Sequence, residues 1–243
     1  MAETMNLRRS WMVLPAHKAE EAMRYQEYKP DVVVLDLEYS VPPKGKEITR
    51  KNLEKLVRDI GKSQTEVFVR IDRDTRWADV RAAMYRGIKG IVLPGPEEPG
   101  EVAELGEFIT AMEKERGVDP EITELVLVLE SAKGFWNAAL LTGASPRVTA
   151  LGVGRIDLTM KLGPVPQGEF RLYRFLMTRA LVAARMLGKQ PLGAFFRPGS
   201  RGGVASKEDT LKAAREARLM GFTGCFCAKP EQVAPVNEGF TSL

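Results

Sequence analysis

The stretch LVLVLESAKGFWNAALLTGASPRVTALGVGRIDLTMKLG, from Leu125 to Gly163, sets carboxylates behind two apolar runs. Leu125 to Leu129 is closed by Glu130, and Val148 to Val153 is followed by Gly154 and then Asp157. One helix-length segment, Lys133 to Thr142, lies between them. A strand, crossover helix and strand of this size form one parallel βαβ unit, so both strands deliver their ends to the same rim. Glu130 and Asp157 are therefore expected to converge. Two carboxylates with room for water make a hard oxygen site of the kind that holds Mg²⁺ or Mn²⁺. The same residues also have a plainer reading, in which Glu130 caps a helix starting near Ser131 and Asp157 caps the turn before Leu158. Gly152 and Gly154 favour a ligand, because missing side chains at a strand end let one approach the backbone. GVGRID is not a dinucleotide fingerprint, since Asp157 stands at its third glycine position.

Other polar residues fall at the ends of other strand-like runs. DVVVLDL, Asp31 to Leu37, is a continuous apolar run of the type buried in a parallel sheet, and Glu38 follows it. EVFVRID, Glu66 to Asp72, carries Arg70 near its end. Arg197 follows the run Pro191 to Phe196, and Lys229 follows Gly224 to Ala228. Glu38, Arg70, Glu130, Asp157, Arg197 and Lys229 thus form one set. A cavity with a carboxylate pair and arginine suits a substrate that carries its own carboxylate, which a guanidinium grips bidentately. Arg70 could instead neutralise Glu38, and Arg197 and Lys229 could be rim charges.

The elements that must position this set alternate eight times. Strands are expected at Ser10 to Pro15, Asp31 to Leu37, Glu66 to Asp72, Gly90 to Leu93, Leu125 to Leu129, Val148 to Val153, Pro191 to Phe196 and Gly224 to Ala228. Helices are expected at Ala19 to Tyr28, Glu47 to Ile60, Asp74 to Arg86, Pro99 to Arg116, Lys133 to Thr142, Phe170 to Leu187 and Lys207 to Met220. Buried parallel runs alternating with helices over 243 residues predict an α/β fold, a closed (β/α)8 TIM barrel forming one domain over residues 1–243. Trp11, Trp77 and Trp136 are expected to pack, with Trp136 able to border the site.

Composition narrows the partners. The chain is 44% hydrophobic and 28% charged, with a formal charge of +4 from 36 basic and 32 acidic residues. The basic residues form no long run, which argues against nucleic acid and leaves a small anionic molecule. No apolar run approaches a membrane span, and MAETMNLRRS lacks a signal-like apolar stretch, so a soluble cytoplasmic protein is expected. Cys225 and Cys227, two apart in a strand, are expected to be buried reduced thiols. His17 is the only histidine. It excludes a multi-histidine zinc site, and a Ser-His-Asp triad would need His17 itself.

The segments VVVLDLEYSVPPKGK, FVRID, GIVLPGPE, LVLESAKGFWNA, LGVGRIDLTMKLG and GFTGCFCAKPEQV resemble, in order and spacing, the citrate lyase β-subunit-like branch of the HpcH/HpaI aldolase and citrate lyase superfamily. The resemblance implies a TIM barrel of the phosphoenolpyruvate/pyruvate type, Mg²⁺ held by Glu130 and Asp157, and substrate carbonyl or carboxylate held by Arg70. It further implies carbon–carbon bond cleavage or formation in a hydroxyacyl or oxo-acid substrate, often a CoA thioester, and a homo-trimer or hexamer. There are departures. Where such proteins read Asp-Leu-Glu-Asp this chain has Asp36, Leu37, Glu38 and Tyr39. The lysine of their Leu-Pro-Lys motif is Gly95 here, the histidine of their Ile-His-Pro motif is Lys229, and the related pyruvate aldolases carry a catalytic histidine near Glu38 that is absent here. The chain stops soon after Pro230, so a site independent of a long swapped arm is expected. The reading is a metal-dependent lyase or aldolase in which Arg70, Glu38 and Lys229 are the candidate catalytic residues and Arg70, Gly154 and Arg197 bind substrate. A barrel that binds a carboxylate without turnover and a metal-dependent thioester hydrolase remain alternatives.

Overall fold

The computed structural model describes residues 8–18, 22–63, 65–120, 122–154, 169–196 and 205–241, with backbone alone for 169–172. The strands are β1 (Ser10–Pro15), β2 (Val32–Asp36), β3 (Glu66–Arg70), β4 (Ile88–Pro94), β5 (Glu124–Leu129), β6 (Val148–Val153), β7 (Gln190–Leu192) and β8 (Cys225–Cys227). They pair in parallel in the order β7-β6-β5-β4-β3-β2-β1-β8. A bridge between Leu192 and Gly224 brings the two edge strands together, which gives a nearly closed barrel. Among the described residues the helices between strands are α1 (Lys46–Ile60), α2 (Arg76–Ala83), α3 (Pro99–Arg116), α4 (Ala132–Trp136), α5 (Ala138–Gly143), α6 (Glu169–Met186) and α7 (Lys207–Met220), and α8 (Val233–Phe240) follows β8. Among the described residues, no helix is long and apolar enough to cross a membrane.

Side chains alternate across each strand, so residues of one parity fill the barrel and the others meet the helices. The interior is a compact apolar plug containing Trp11, Val32, Val34, Phe68, Val126 and Val128. Trp11 lies 4.8 Å from Phe68 and 5.9 Å from Phe226, ring centre to ring centre. Gly90 leaves the space that Phe68 fills: a Cβ there would stand 2.2 Å from that ring. Below the plug, at the N-terminal ends of the strands, Arg8 bonds Glu66 and, at 2.5 Å, Glu124, and Lys89 reaches Glu124 at 3.0 Å. Above it the interior turns polar.

Several elements are shorter than the spacing predicts. In the first crossover, where a helix over Ala19 to Tyr28 is expected, the described residues are α-helical at Ala22 and Met23 and continue into a 3-10 turn, Arg24–Glu27. It ends because Lys29 adopts φ 53° ahead of Pro30, a residue that disfavours the right-handed helical region for its predecessor. The helix expected at Asp74 to Arg86 is a 3-10 turn, Arg73–Thr75, followed by α2, which ends at Ala83. The segment Lys133 to Thr142 is two helices, broken at Asn137, whose amide donates to the Glu97 carbonyl at 2.9 Å. The seventh strand stops at Leu192 rather than Phe196, because the chain bends outward and Phe195 N donates to Ala213 O in α7. Cys225 and Cys227 are buried and unpaired. Of the tryptophans, Trp11 is fully buried, but Trp77 is 38% and Trp136 78% exposed. The broken crossover holds Trp136 on the surface, stacked against the Arg179 guanidinium at 5.1 Å.

Candidate active site

Alternation carries three polar residues to the top of the interior. Asp36 continues the inward column Val32, Val34; Arg70 continues Phe68; and Glu130 continues Val126, Val128. Parallel pairing sets Asp36 directly opposite Arg70. All three line one cavity of about 850 Å³ at the C-terminal ends of the strands, the end at which barrels of this kind do chemistry. His17, Tyr39 and Gly154 line it as well.

Arg70 is held by Asp36. Its Nε donates to Asp36 Oδ1 at 2.8 Å, and Glu38 Oε2 stands 3.5 Å from the same nitrogen. The Asp36 carboxylate also accepts from the backbone of Glu38 and Ser40, at 2.9 and 3.0 Å, and Ser40 Oγ donates to the Asp36 carbonyl at 2.9 Å. Burial by itself would push the Asp36 carboxyl up. The Arg70 guanidinium and these donors outweigh it and hold the group below the usual carboxylate range. Arg70 shifts the other way: burial opposes its charge, but Asp36, Glu38 and Glu130 together favour it. The guanidinium is thus a fixed cation with one edge engaged. The Tyr39 ring lies over it, its centre 5.2 Å from the guanidinium carbon.

Glu130 is 4% exposed. The helix that follows it is capped by Ser131, whose Oγ accepts from Gly134 N at 3.1 Å, so capping does not account for the carboxylate. Gly154 lies against it: a Cβ there would stand 2.5 Å from Glu130 Cγ. An inward, buried carboxylate in a cradle that only glycine leaves open, with Arg70 in the same cavity, fits a hard cation that keeps water and substrate oxygens in its shell. Among the described residues no three His, Cys, Asp or Glu side chains gather where they could share a cation. Asp157, the second expected ligand, and Arg197, an expected substrate contact, lie outside the described residues.

Of the other expected residues, Glu38 packs beside Arg70 with its side chain 15% exposed. Lys229 is exposed, and its backbone N–H donates to Gln232 Oε1 at 3.0 Å, opening a short 3-10 turn. Asp36, Tyr39 and His17 were named in the sequence but not assigned to the site. Asp36 was legible in principle, because counting by two from Val32 and Val34 reaches it before Glu38. Tyr39 and His17 sit in turns, where no periodicity says which way a side chain points.

The profile of the HpcH/HpaI aldolase/citrate lyase family matches residues 9–230. The citrate lyase subunit beta of Haemophilus influenzae is 26% identical over 239 residues, covering 97% of this chain and 80% of the relative. An L-malyl-CoA/beta-methylmalyl-CoA lyase of Rhodobacter capsulatus is 26% identical over 234 residues, covering 87% of this chain and 72% of the relative. Among solved structures, the citrate lyase beta subunit of M. tuberculosis, complexed with oxaloacetate and magnesium, superposes with a TM-score of 0.76 at 24% identity, covering 98% of this chain and 100% of that one. At that identity the likeness shows the fold.

Proposed function

Because the chain belongs to the HpcH/HpaI aldolase/citrate lyase family, we propose that it is a Mg²⁺-dependent carbon–carbon lyase acting on a hydroxyacyl substrate, as free acid or CoA thioester, or on an oxo-acid. The observation that carries this is the shared cavity of Asp36, Arg70 and Glu130: an arginine aimed by one buried carboxylate, beside a second carboxylate that does not cap the helix following it. The lyase names of the relatives support it, as do fold neighbours holding magnesium with oxaloacetate or pyruvate.

In the cleavage direction a base takes the proton of the substrate hydroxyl, and that carbon becomes a carbonyl as its bond to the next carbon breaks. The electron pair passes to the acyl fragment as an enolate, which is then protonated at carbon. Arg70 donates to the carboxylate or to the enolate oxygen, where a fixed cation acts most strongly as charge develops. Asp36 holds the guanidinium in that orientation. Of the two side chains expected as the base, with a metal-bound water as the third candidate, Glu38 stands beside Arg70, whereas Lys229 is turned to solvent; proton removal is assigned to Glu38. Gly154 leaves room for substrate, and Arg197 is the reading's second carboxylate contact. Glu130 and Asp157 would hold Mg²⁺, or Mn²⁺ with the same oxygen preference, which supplies Lewis-acid polarisation of a substrate carbonyl when bound.

The test is an aldol-cleavage assay over malyl, citramalyl and citryl thioesters and the free hydroxy acids, with and without Mg²⁺. Cleavage that requires the metal is the expected result. Thioester hydrolysis without carbon–carbon cleavage would make the chain a hydrolase, and calorimetric binding of oxalate with no turnover would make it a carboxylate-binding barrel. For the metal, Asp157→Asn is expected to weaken Mg²⁺ binding steeply at unchanged thermal stability; equal binding by the wild type would remove Asp157 from the site.

The reading includes a cytoplasmic homo-oligomer, trimer or hexamer, made of further copies of this chain. Trp136, Leu140, Val182 and Met186 are each at least 60% exposed on α4, α5 and α6, and exposed apolar side chains in number support this reading. Light scattering that gave a monomer at micromolar concentration would overturn the assembly.

A further inference from the structure

We propose that Tyr39 is a positioning residue of this site, holding the Arg70 guanidinium so that its free edge meets a small carboxylate. The proposal rests on Arg70 being the carboxylate grip. A guanidinium offers a substrate two flat faces and its N–H edges. In this structure Asp36 takes the Nε edge at 2.8 Å, and the guanidinium carbon lies over the Tyr39 ring, 5.2 Å from its centre. The terminal nitrogens remain for a ligand, and they present the parallel fork that matches a carboxylate.

Tyr39 is placed by the same carboxylate that holds the arginine. The residues on either side of it, Glu38 and Ser40, both donate backbone N–H groups to Asp36, so the turn carrying the ring and the guanidinium beneath it share one anchor. Tyr39 is 59% exposed and lines the cavity. Core packing does not explain an aromatic side chain with so much of its surface in water; its position over a cation does. Its neutrality matters as well. Arg70 already answers to Asp36, Glu38 and Glu130, and a further carboxylate at position 39 would compete with the substrate for the remaining edge.

The experiment is calorimetric titration of the full chain with oxalate in saturating Mg²⁺, for wild type, Tyr39→Phe, Tyr39→Leu, Tyr39→Asp and Arg70→Lys, each checked for an unchanged thermal midpoint. Tyr39→Phe keeps the ring and is expected to bind within about 2-fold of wild type. Tyr39→Leu removes the stacking and is expected to bind about 10-fold more weakly, within the range that cation–π contacts supply. Tyr39→Asp is expected to bind about 100-fold more weakly. If Arg70→Lys binds oxalate as wild type does, Arg70 is not the grip and the proposal falls with that reading. If Arg70→Lys fails while Tyr39→Leu and Tyr39→Asp bind normally, the proposal for Tyr39 alone falls. Equal losses in Tyr39→Phe and Tyr39→Leu would assign the effect to the hydroxyl and overturn the stacking argument.

Discussion

At the scale of single residues, the site depends on Asp36. Its carboxylate neutralises Arg70, accepts two backbone N–H groups of the next turn, and has a side chain only 3% exposed. Asp36→Asn keeps the size and leaves Arg70, with its side chain 19% exposed, short of its main counter-charge. Loss of one partner of a largely buried pair is costly, and a destabilisation of about 2 kcal/mol is expected in urea unfolding at neutral pH. Oxalate affinity should fall in the same variant, because a guanidinium released from Asp36 no longer faces the cavity in one orientation. A variant with wild-type stability and affinity would show that Glu38 alone suffices. Gly154→Ala acts on the other carboxylate. Its Cβ would have to displace the Glu130 side chain, so Mg²⁺ affinity is expected to drop, with a loss of about 1 kcal/mol in stability from overpacking.

At the scale of elements, the turns after the strands decide what each strand can offer. Gly95, at the end of β4, adopts φ 55° while its N–H bonds Val128 O at 2.9 Å. A side chain in that left-handed conformation is strained. Gly95→Lys, which restores the lysine of the family pattern, is therefore expected to cost about 1 kcal/mol in a thermal melt. A neutral or stabilising result would mean the turn relaxes freely. After β5 the cap residue is Ser131, and Ser131→Ala should cost about 1 kcal/mol of stability. Glu130→Gln should be close to neutral in stability while abolishing metal binding, which separates the cap from the ligand.

At the scale of the whole molecule, the barrel is sealed at its lower end by charge. Glu124 accepts from Arg8 at 2.5 and 2.8 Å, from Thr149 at 2.6 Å, and pairs with Lys89 at 3.0 Å. Burial would raise its pKa, but Arg8 and these donors lower it from 4.5 to about 2. A carboxyl whose folded pKa is depressed contributes stability that is complete above the unfolded value and is lost as pH falls through the folded one. The Glu124 contribution is therefore present in full above about pH 4.5 and disappears toward pH 2. It is on the order of 3 kcal/mol. Glu124→Gln should be less stable than wild type at pH 7, and the two unfolding free energies should converge as the pH is lowered from 4.5 to 2. A difference that stayed constant with pH would show that the seal works by packing.

The sequence by itself determined the periodic part of this protein. Eight alternations of strand and helix fixed a parallel barrel, and parity within the strands carried Arg70 and Glu130 to the inner rim, because a side-chain period of two leaves no choice once one face is buried. Element ends were less legible. Asn137 breaks a helix by bonding Glu97, and Leu192 ends a strand as the chain turns toward Ala213, both through partners far away in sequence. The tertiary structure alone decided that Arg70 pairs first with Asp36 rather than Glu38, that Tyr39 covers it, and that Trp136 faces solvent. The first follows from the register of β2 against β3; the other two depend on where the chain turns, and a turn has no repeating geometry from which a side-chain direction can be counted.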